Sequence, residues 1–252
     1  MGEALLAGLV DAGHSVVVCE TDELRAVYLR KKFGVSIGES RAAAENCDVI
    51  VIAVKPQMVS DVLETIGDVV PPEALVISVA AGITTEILES GLRGAIAVVR
   101  AMPNTPALVG QGMTVLSAGR NCAEDQLTQA RELLESVGKV AVVPESQQDA
   151  VTALSGSGPA YVFYVVEAMT DAGVALGLEP ATAQELAVQT AYGAASMLRE
   201  TGEDPADLRD NVTSPGGTTA AALERLEAHE VRVAFAAALA AAQQRSIELS
   251  GH

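Results

Sequence analysis

The chain has 252 residues, 49% hydrophobic and 19% charged, which is enough to bury one large core or two modest ones and too apolar for disorder. Its 16 Lys and Arg oppose 33 Asp and Glu, a formal charge of −17 that argues against nucleic acid, whose phosphates demand a basic face. Aromatics make up only 3% and Trp is absent, so Ala, Val and Leu must form the core, as in closely packed helices and parallel strands. In chain order, Val16 to Glu20 is a short apolar run, and Asp22 to Phe33 has helical period. Asp48 to Val54, Ala74 to Ala81 and Ile96 to Met102 are continuous apolar runs, with a helical stretch over Val59 to Ile66 between the first two. Unbroken Val- and Ile-rich runs suit strands covered on both faces of a parallel sheet. Met113 to Ala118 and Lys139 to Pro144 flank a helix over Glu124 to Val137. The alternation predicts an α/β fold, a Rossmann-type doubly wound parallel sheet over residues 1–145.

Past Glu145 the strand signal fades, and residues 146–252 predict an all-α domain. Amphipathic helices are expected over Pro159 to Leu176, Ala183 to Arg199 and Val231 to Leu249, with a shorter run from Ala220 to Leu226. Their contact positions include Val162, Val165, Val166, Met169 and Gly173 on the first, and many are small. That pattern fits a monomeric helical domain or an oligomer interface, and the second is favoured because so short a helical segment makes a small core. Cys19, Cys47 and Cys122 are odd in number and far apart, which suits free thiols in a reducing cytoplasm rather than disulfides or zinc. No apolar run reaches the ~20 residues that cross a bilayer. Met1 to Val10 holds Glu3 without a basic flank and does not read as a signal peptide.

Loops at the predicted strand ends carry the chemical signal. Pro56 stops a strand and keeps Lys55 extended at the carboxyl edge of the sheet, where open α/β folds bind ligands. Val79-Ala80-Ala81-Gly82 ends the next strand in residues with almost no side chain, and Asn104 follows the next between Pro103 and Pro106. Three such loops at one edge point to a nucleotide site. In the helical half, Leu154 to Pro159 reads as a glycine-containing loop leading into a helix. Asn211 to Thr219 precedes another helix, with Gly216 and Gly217 beside the hydroxyls of Ser214, Thr218 and Thr219. A helix start has four unpaired N–H groups and a partial positive charge, so this stretch is either a carboxylate or phosphate cradle or an elaborate cap. His occurs only at 14, 229 and 252, away from these loops, and no metal-ligand or Ser-His-Asp set can be assembled. Chemistry here must rely on a cofactor and hydrogen-bond donors, as hydride transfer does.

The stretch Asp210-Asn211-Val212-Thr213-Ser214-Pro215-Gly216-Gly217-Thr218-Thr219 resembles the signature of the pyrroline-5-carboxylate reductases. Leu154 to Tyr161, Ala53 to Pro56 and Met102 to Pro106 resemble other segments of that family in the same order, so the resemblance spans nearly the whole chain. It implies a Rossmann domain and a helical domain that joins two subunits, with homodimers assembling into decamers in the cytoplasm. The implied reaction is hydride transfer from NAD(P)H to 1-pyrroline-5-carboxylate, giving L-proline. The implied cofactor contacts are Met1, Gly2, Thr21, Ala53, Val54, Lys55, Pro56, Ala80, Ala81, Gly82, Asn104 and Asn211, the last from the partner subunit. Ser214, Gly216, Gly217 and Thr218 would hold the substrate carboxylate, and the Thr219 hydroxyl would meet the ring nitrogen as the catalytic group.

One departure concerns the dinucleotide motif G-x-G-x-x-G, of which only the tail stands here, Gly2 aligning with its last glycine. Without the first strand and first two glycines, the sheet is expected to split and to lack the pyrophosphate cradle. The cofactor reading is open too. Glu20 at a strand end suits the ribose of NAD(H), whereas Thr21 suits a 2′-phosphate and the resemblance favours NADP(H). The rival readings are a non-catalytic oligomeric relative and a related imine or β-hydroxyacid reductase. A β-hydroxyacid dehydrogenase needs a catalytic lysine on a helix of the second domain, but Lys31, Lys32, Lys55 and Lys139 all lie in the first half.

Overall fold

The computed structural model describes residues 1–250. Its elements are α1 (Gly2–Asp11), β1 (Val17–Val18), α2 (Glu23–Phe33), β2 (Ser36–Ile37), α3 (Ser40–Ala44), β3 (Val49–Ile52), α4 (Val59–Ile66), β4 (Leu75–Ser78), α5 (Thr85–Ser90), β5 (Ala97–Met102), β6 (Gly112–Ala118), α6 (Glu124–Glu135) and β7 (Gly138–Val142). Helices follow: α7 (Gln148–Val151), α8 (Gly158–Ala175), α9 (Pro180–Thr201), α10 (Pro205–Asn211), α11 (Thr218–Ala228) and α12 (Val231–Ser250). Local chemistry sets several boundaries. Asp22 caps α2 by accepting the Arg25 N–H at 2.9 Å, and Gly34 ends that helix at φ 70° beside Arg30, Lys31 and Lys32. Asp204 likewise caps α10, which opens on Pro205.

The strands lie in two sheets. β1 and β2 pair in parallel by themselves, and the larger sheet has the order β3-β4-β5-β6-β7. The expected split is therefore present, with no ladder joining β1 to β3. Helix α1 bridges it: Leu6 packs with Leu29 and Val35, while Ala4 and Leu5 pack with Leu75, Ile77 and Val99. Strands β3, β4 and β5 are parallel, as are β6 and β7. The expected parallel sheet is present with one departure: β5 and β6 are antiparallel, with Val99 opposite Ala118. Residues 103–111 connect them through one short helical turn, Thr105–Val109, which is too short for a parallel crossover.

All four residues of β4 are buried, and they alternate between two covered faces. Val76 faces a layer containing Val59, Leu63, Leu88 and Val98, whereas Leu75 and Ile77 face Leu116, Leu134 and Ala130. Such two-sided burial explains the unbroken apolar runs.

The chain divides into two compact units, Met1–Ser157 together with the segment from Ala242, and Gly158–Ala241. In the second unit α8 packs on α9, where a side-chain carbon at Gly173 would stand 3.2 Å from the Ala183 methyl. Only Ala183 and Ala187 are buried there. The one-sided face expected of α8 is not what the structure holds. Val162, Phe163, Tyr164 and Val165 are consecutive and all exposed, so apolar groups surround its early turns, ahead of Glu167 and Asp171. The Leu154 to Pro159 stretch also differs from the expected loop: Thr152–Gly156 is a wide, π-type turn continuing α7.

Candidate active site

At the carboxyl edge of the larger sheet, β3 runs into Ala53 and Lys55, both exposed, with Val54 and Pro56 half-buried. Lys55 is extended (φ −64°, ψ 147°) and Pro56 opens a short helical turn. The start of α1 lies at the same edge, since a side-chain carbon at Gly2 would stand 3.3 Å from the Ala53 methyl. Met1 is the N-cap of α1 and makes no side-chain cap. The structure thus brings Met1, Gly2 and Ala53 together. After β4, Ala80 turns its methyl into the core, which leaves only its backbone for a ligand. Ala81 is exposed, and Gly82 has φ +75°, a left-handed backbone that other residues rarely adopt.

Asn104, after β5, has both ends of its amide occupied. It accepts the Met113 N–H at 2.8 Å and donates to the Ser155 carbonyl at 3.0 Å. It ties the β5 loop to the start of β6 and to the π-type turn. At the end of β1, the Glu20 carboxylate accepts the Asp22 N–H at 3.1 Å, and Thr21 beside it is exposed.

In the second unit, α10 ends at Asn211, which is exposed, and Thr213 donates its hydroxyl to the Arg209 carbonyl at 2.6 Å. Gly216 turns the chain at φ +70°. Gly217 is then the N-cap of α11, and its N–H donates to the Ser214 carbonyl at 3.0 Å. No side chain caps α11, and its first turn holds no acidic residue. Ser214 and Thr218 are exposed and Thr219 is half-buried, and their hydroxyls have no partner among the described residues. The hydroxyl cluster therefore does not act as a cap. It leaves unpaired N–H groups and hydroxyls at the positive end of one helix.

Sequence reasoning missed a charged cluster beside the β4 loop. Arg100, in the middle of β5, is 4% exposed and meets Glu145 at 3.3 Å. Glu145 also accepts the N–H and the hydroxyl of Thr85 at 2.8 and 2.5 Å, at the start of α5. An Arg within the apolar run Ile96 to Met102 was the available signal, since a charge there needs a partner. Of the three histidines, His252 lies outside the described residues.

Residues 145–249 match the family model described as pyrroline-5-carboxylate reductase dimerisation. Residues 1–82 match the one described as NADP oxidoreductase, coenzyme F420-dependent. A pyrroline-5-carboxylate reductase of Corynebacterium melassecola is 44% identical over 259 residues, covering 100% of this chain and 96% of its own. This chain belongs to the pyrroline-5-carboxylate reductase family. The reductase also superposes on a solved pyrroline-5-carboxylate reductase from Coxiella burnetii, with TM-score 0.95, 40% identity and coverage of 100% and 95%. A Plasmodium falciparum pyrroline carboxylate reductase solved with NADP bound gives TM-score 0.86 and 30% identity, over 100% and 95%. The reductase is an oxidoreductase carrying its family's dimerisation segment, so the β-hydroxyacid reading falls away. Among the described residues no helix is long and apolar enough to cross a membrane.

Proposed function

We propose that this reductase reduces the C=N bond of 1-pyrroline-5-carboxylate to give L-proline, taking the hydride from NADPH in preference to NADH. The observation that carries this reading is the start of α11, with three free hydroxyls, no cap and no acid in the first turn. Such a helix end suits a carboxylate, because its N–H groups point at the ligand and its dipole favours negative charge. Ser214 and the backbone around Gly216, Gly217 and Thr218 hold that carboxylate, and Thr219 orients the ring nitrogen.

The carboxyl edge of the first unit fits a dinucleotide. Gly2 lets the uncapped start of α1 approach Ala53, and the β4 loop presents Ala81 and the left-handed Gly82. Met1, Gly2, Thr21, Ala53 to Pro56 and Ala80 to Gly82 are the contacts of this reading, with Asn211 contributed by the partner subunit. Asn104 serves it by holding the β5 loop in place. The Asp22 N–H occupies the Glu20 carboxylate, while Thr21 stays exposed for a 2′-phosphate.

When bound, the reduced nicotinamide supplies a hydride, which goes to the imine carbon while the nitrogen carries a proton. A protonated imine accepts hydride more readily, and such imines are basic enough to be partly protonated near neutrality, so the chain need not supply a strong acid. The Thr219 hydroxyl orients that nitrogen as its charge is lost, and the α11 donors keep the ring from rotating, so the main contribution is positioning. The working form in this reading is a cytoplasmic homodimer, assembled further into a decamer. The test is direct: purified protein should oxidise NADPH only when pyrroline-5-carboxylate is present, one mole per mole of proline formed. Oxidation without proline, or none above a protein-free control, would overturn the reading.

A further inference from the structure

The loop that follows β4 is held from outside by segments far away in sequence. Glu145 grips its end: one carboxylate oxygen accepts the Thr85 N–H at 2.8 Å and the Arg100 guanidinium at 3.3 Å, and the other accepts the Thr85 hydroxyl at 2.5 Å. Thr84 already caps α5 by accepting the Ile87 N–H, so Glu145 is not the cap that α5 needs to form. The final turn of α12 backs the middle of the loop, with the Leu249 carbonyl 3.4 Å from where a side-chain carbon of Gly82 would stand. That turn is pinned in place by the Ser246 hydroxyl, which donates to the Asp149 carboxylate at 2.6 Å, four residues beyond Glu145. Ser246 is 7% exposed, which makes this a protected bond rather than a surface one.

We propose that Glu145 is a positioning residue for the cofactor, setting the 79–85 loop against it through Thr85, with the last turn of α12 as a second brace. The proposal rests on the reading of Ala80 to Gly82 as cofactor contacts. Ala81 and Gly82, the part of the loop turned away from the core, offer only a methyl and backbone, so their own side chains cannot fix them against a ligand. Charge-assisted bonds from a fixed carboxylate are among the stronger means of fixing a backbone segment. Arg100 is buried in the central part of the sheet, so it holds Glu145 in turn. Neither Glu145 nor Ser246 belongs to the substrate cradle at α11, so disturbing them should act on one ligand and not the other.

The experiment uses the purified oligomer and near-isosteric variants. Thr85→Val removes the hydroxyl donor to Glu145, Thr85→Ser retains it, and Ser246→Ala releases the α12 turn. Glu145→Gln removes the charge, and because it leaves Arg100 without its counter-ion, thermal melting is followed in parallel. Thr85→Val, Ser246→Ala and Glu145→Gln should each weaken NADPH binding about ten-fold. The KM for pyrroline-5-carboxylate should stay within about two-fold, and Thr85→Ser should restore NADPH affinity. A merely structural role would lower Tm and shift both constants together, or shift neither, and either result overturns the proposal. Gly82→Ala is the control for the underlying reading. If it weakens NADPH binding while the Glu145 and Thr85 variants do not, the brace is wrong and the loop assignment stands. Should Gly82→Ala leave NADPH affinity unchanged, the loop assignment fails and the brace fails with it.

Discussion

Thr219 and Ser214 sit within six residues of each other at one helix start, yet they should fail differently when changed. In the proposed reading, Thr219→Ala leaves the carboxylate donors in place and removes the group that orients the nitrogen. Turnover should fall by about 100-fold while NADPH affinity stays near its original value, read from single-turnover rates and cofactor titration. Equal losses in both would show that Thr219 acts on the fold of the loop instead. Ser214→Ala removes one carboxylate donor and should raise the KM for pyrroline-5-carboxylate about ten-fold with little change in turnover. An unchanged KM would remove Ser214 from the cradle. The hydroxyl-rich stretch was legible because its composition exceeded what a plain N-cap uses. What the sequence left open was whether those hydroxyls cap α11, and the structure answers that with an uncapped helix. Asn104 was legible as a residue of interest, but not the fact that its amide is consumed by Met113 and Ser155, because both partners depend on tertiary placement.

Among elements, α1 and α2 are joined by one carboxylate. Glu3 accepts hydrogen bonds from Lys32 and Tyr28, both at 2.9 Å, and pairs with Arg25. The Lys32 hydrogen bond first, and Tyr28 next, hold the Glu3 carboxyl below its ordinary value of 4.5. A carboxylate shifted downward stabilises the fold above that ordinary value, and the contribution is lost as pH falls through the lower folded value. Glu3→Gln should therefore lower Tm by about 2 °C at neutral pH, a small effect because the pair is largely solvated. The difference should shrink as melts are taken below pH 4.5 and close once the pH lies below the lowered folded value, and a gap that persists with Glu3 fully protonated would contradict the electrostatic origin. Long apolar runs located β3, β4 and β5 well, because two-sided burial writes itself as continuous hydrophobicity, and helical period located α4. The short elements β2, α3 and α5 were not visible, since two to six residues leave no periodicity to read. The run Met113 to Ala118 located β6 but not its antiparallel direction, because apolar runs carry no strand direction; the short 103–111 connection did.

At the scale of the whole molecule, the helical unit cannot account for its own stability. Gly158–Ala241 buries only two alanines, while Phe163 is 65% and Tyr164 71% exposed. A helix segment as apolar as Tyr161 to Val166 belongs inside a core, and a second copy supplies one, in keeping with the family's dimerisation segment. Phe163→Asp should shift the protein toward monomer in sedimentation velocity and lower its Tm. A variant that stays fully dimeric would place Phe163 outside the interface. In the proposed function a chain of charge −17 binds anions without basic side chains. The anion sites of this account are helix starts, hydroxyls and backbone amides, which leave no trace in the charge count.

The most direct measurement follows the hydride itself. Purified protein is given NADPH deuterated at the transferable position together with pyrroline-5-carboxylate, and the proline is weighed by mass spectrometry and located by NMR. The account predicts one deuterium, at the carbon of the former C=N bond, in step with the NADPH consumed. Unlabelled proline, or a label lost to solvent, would contradict direct transfer from the cofactor to that carbon.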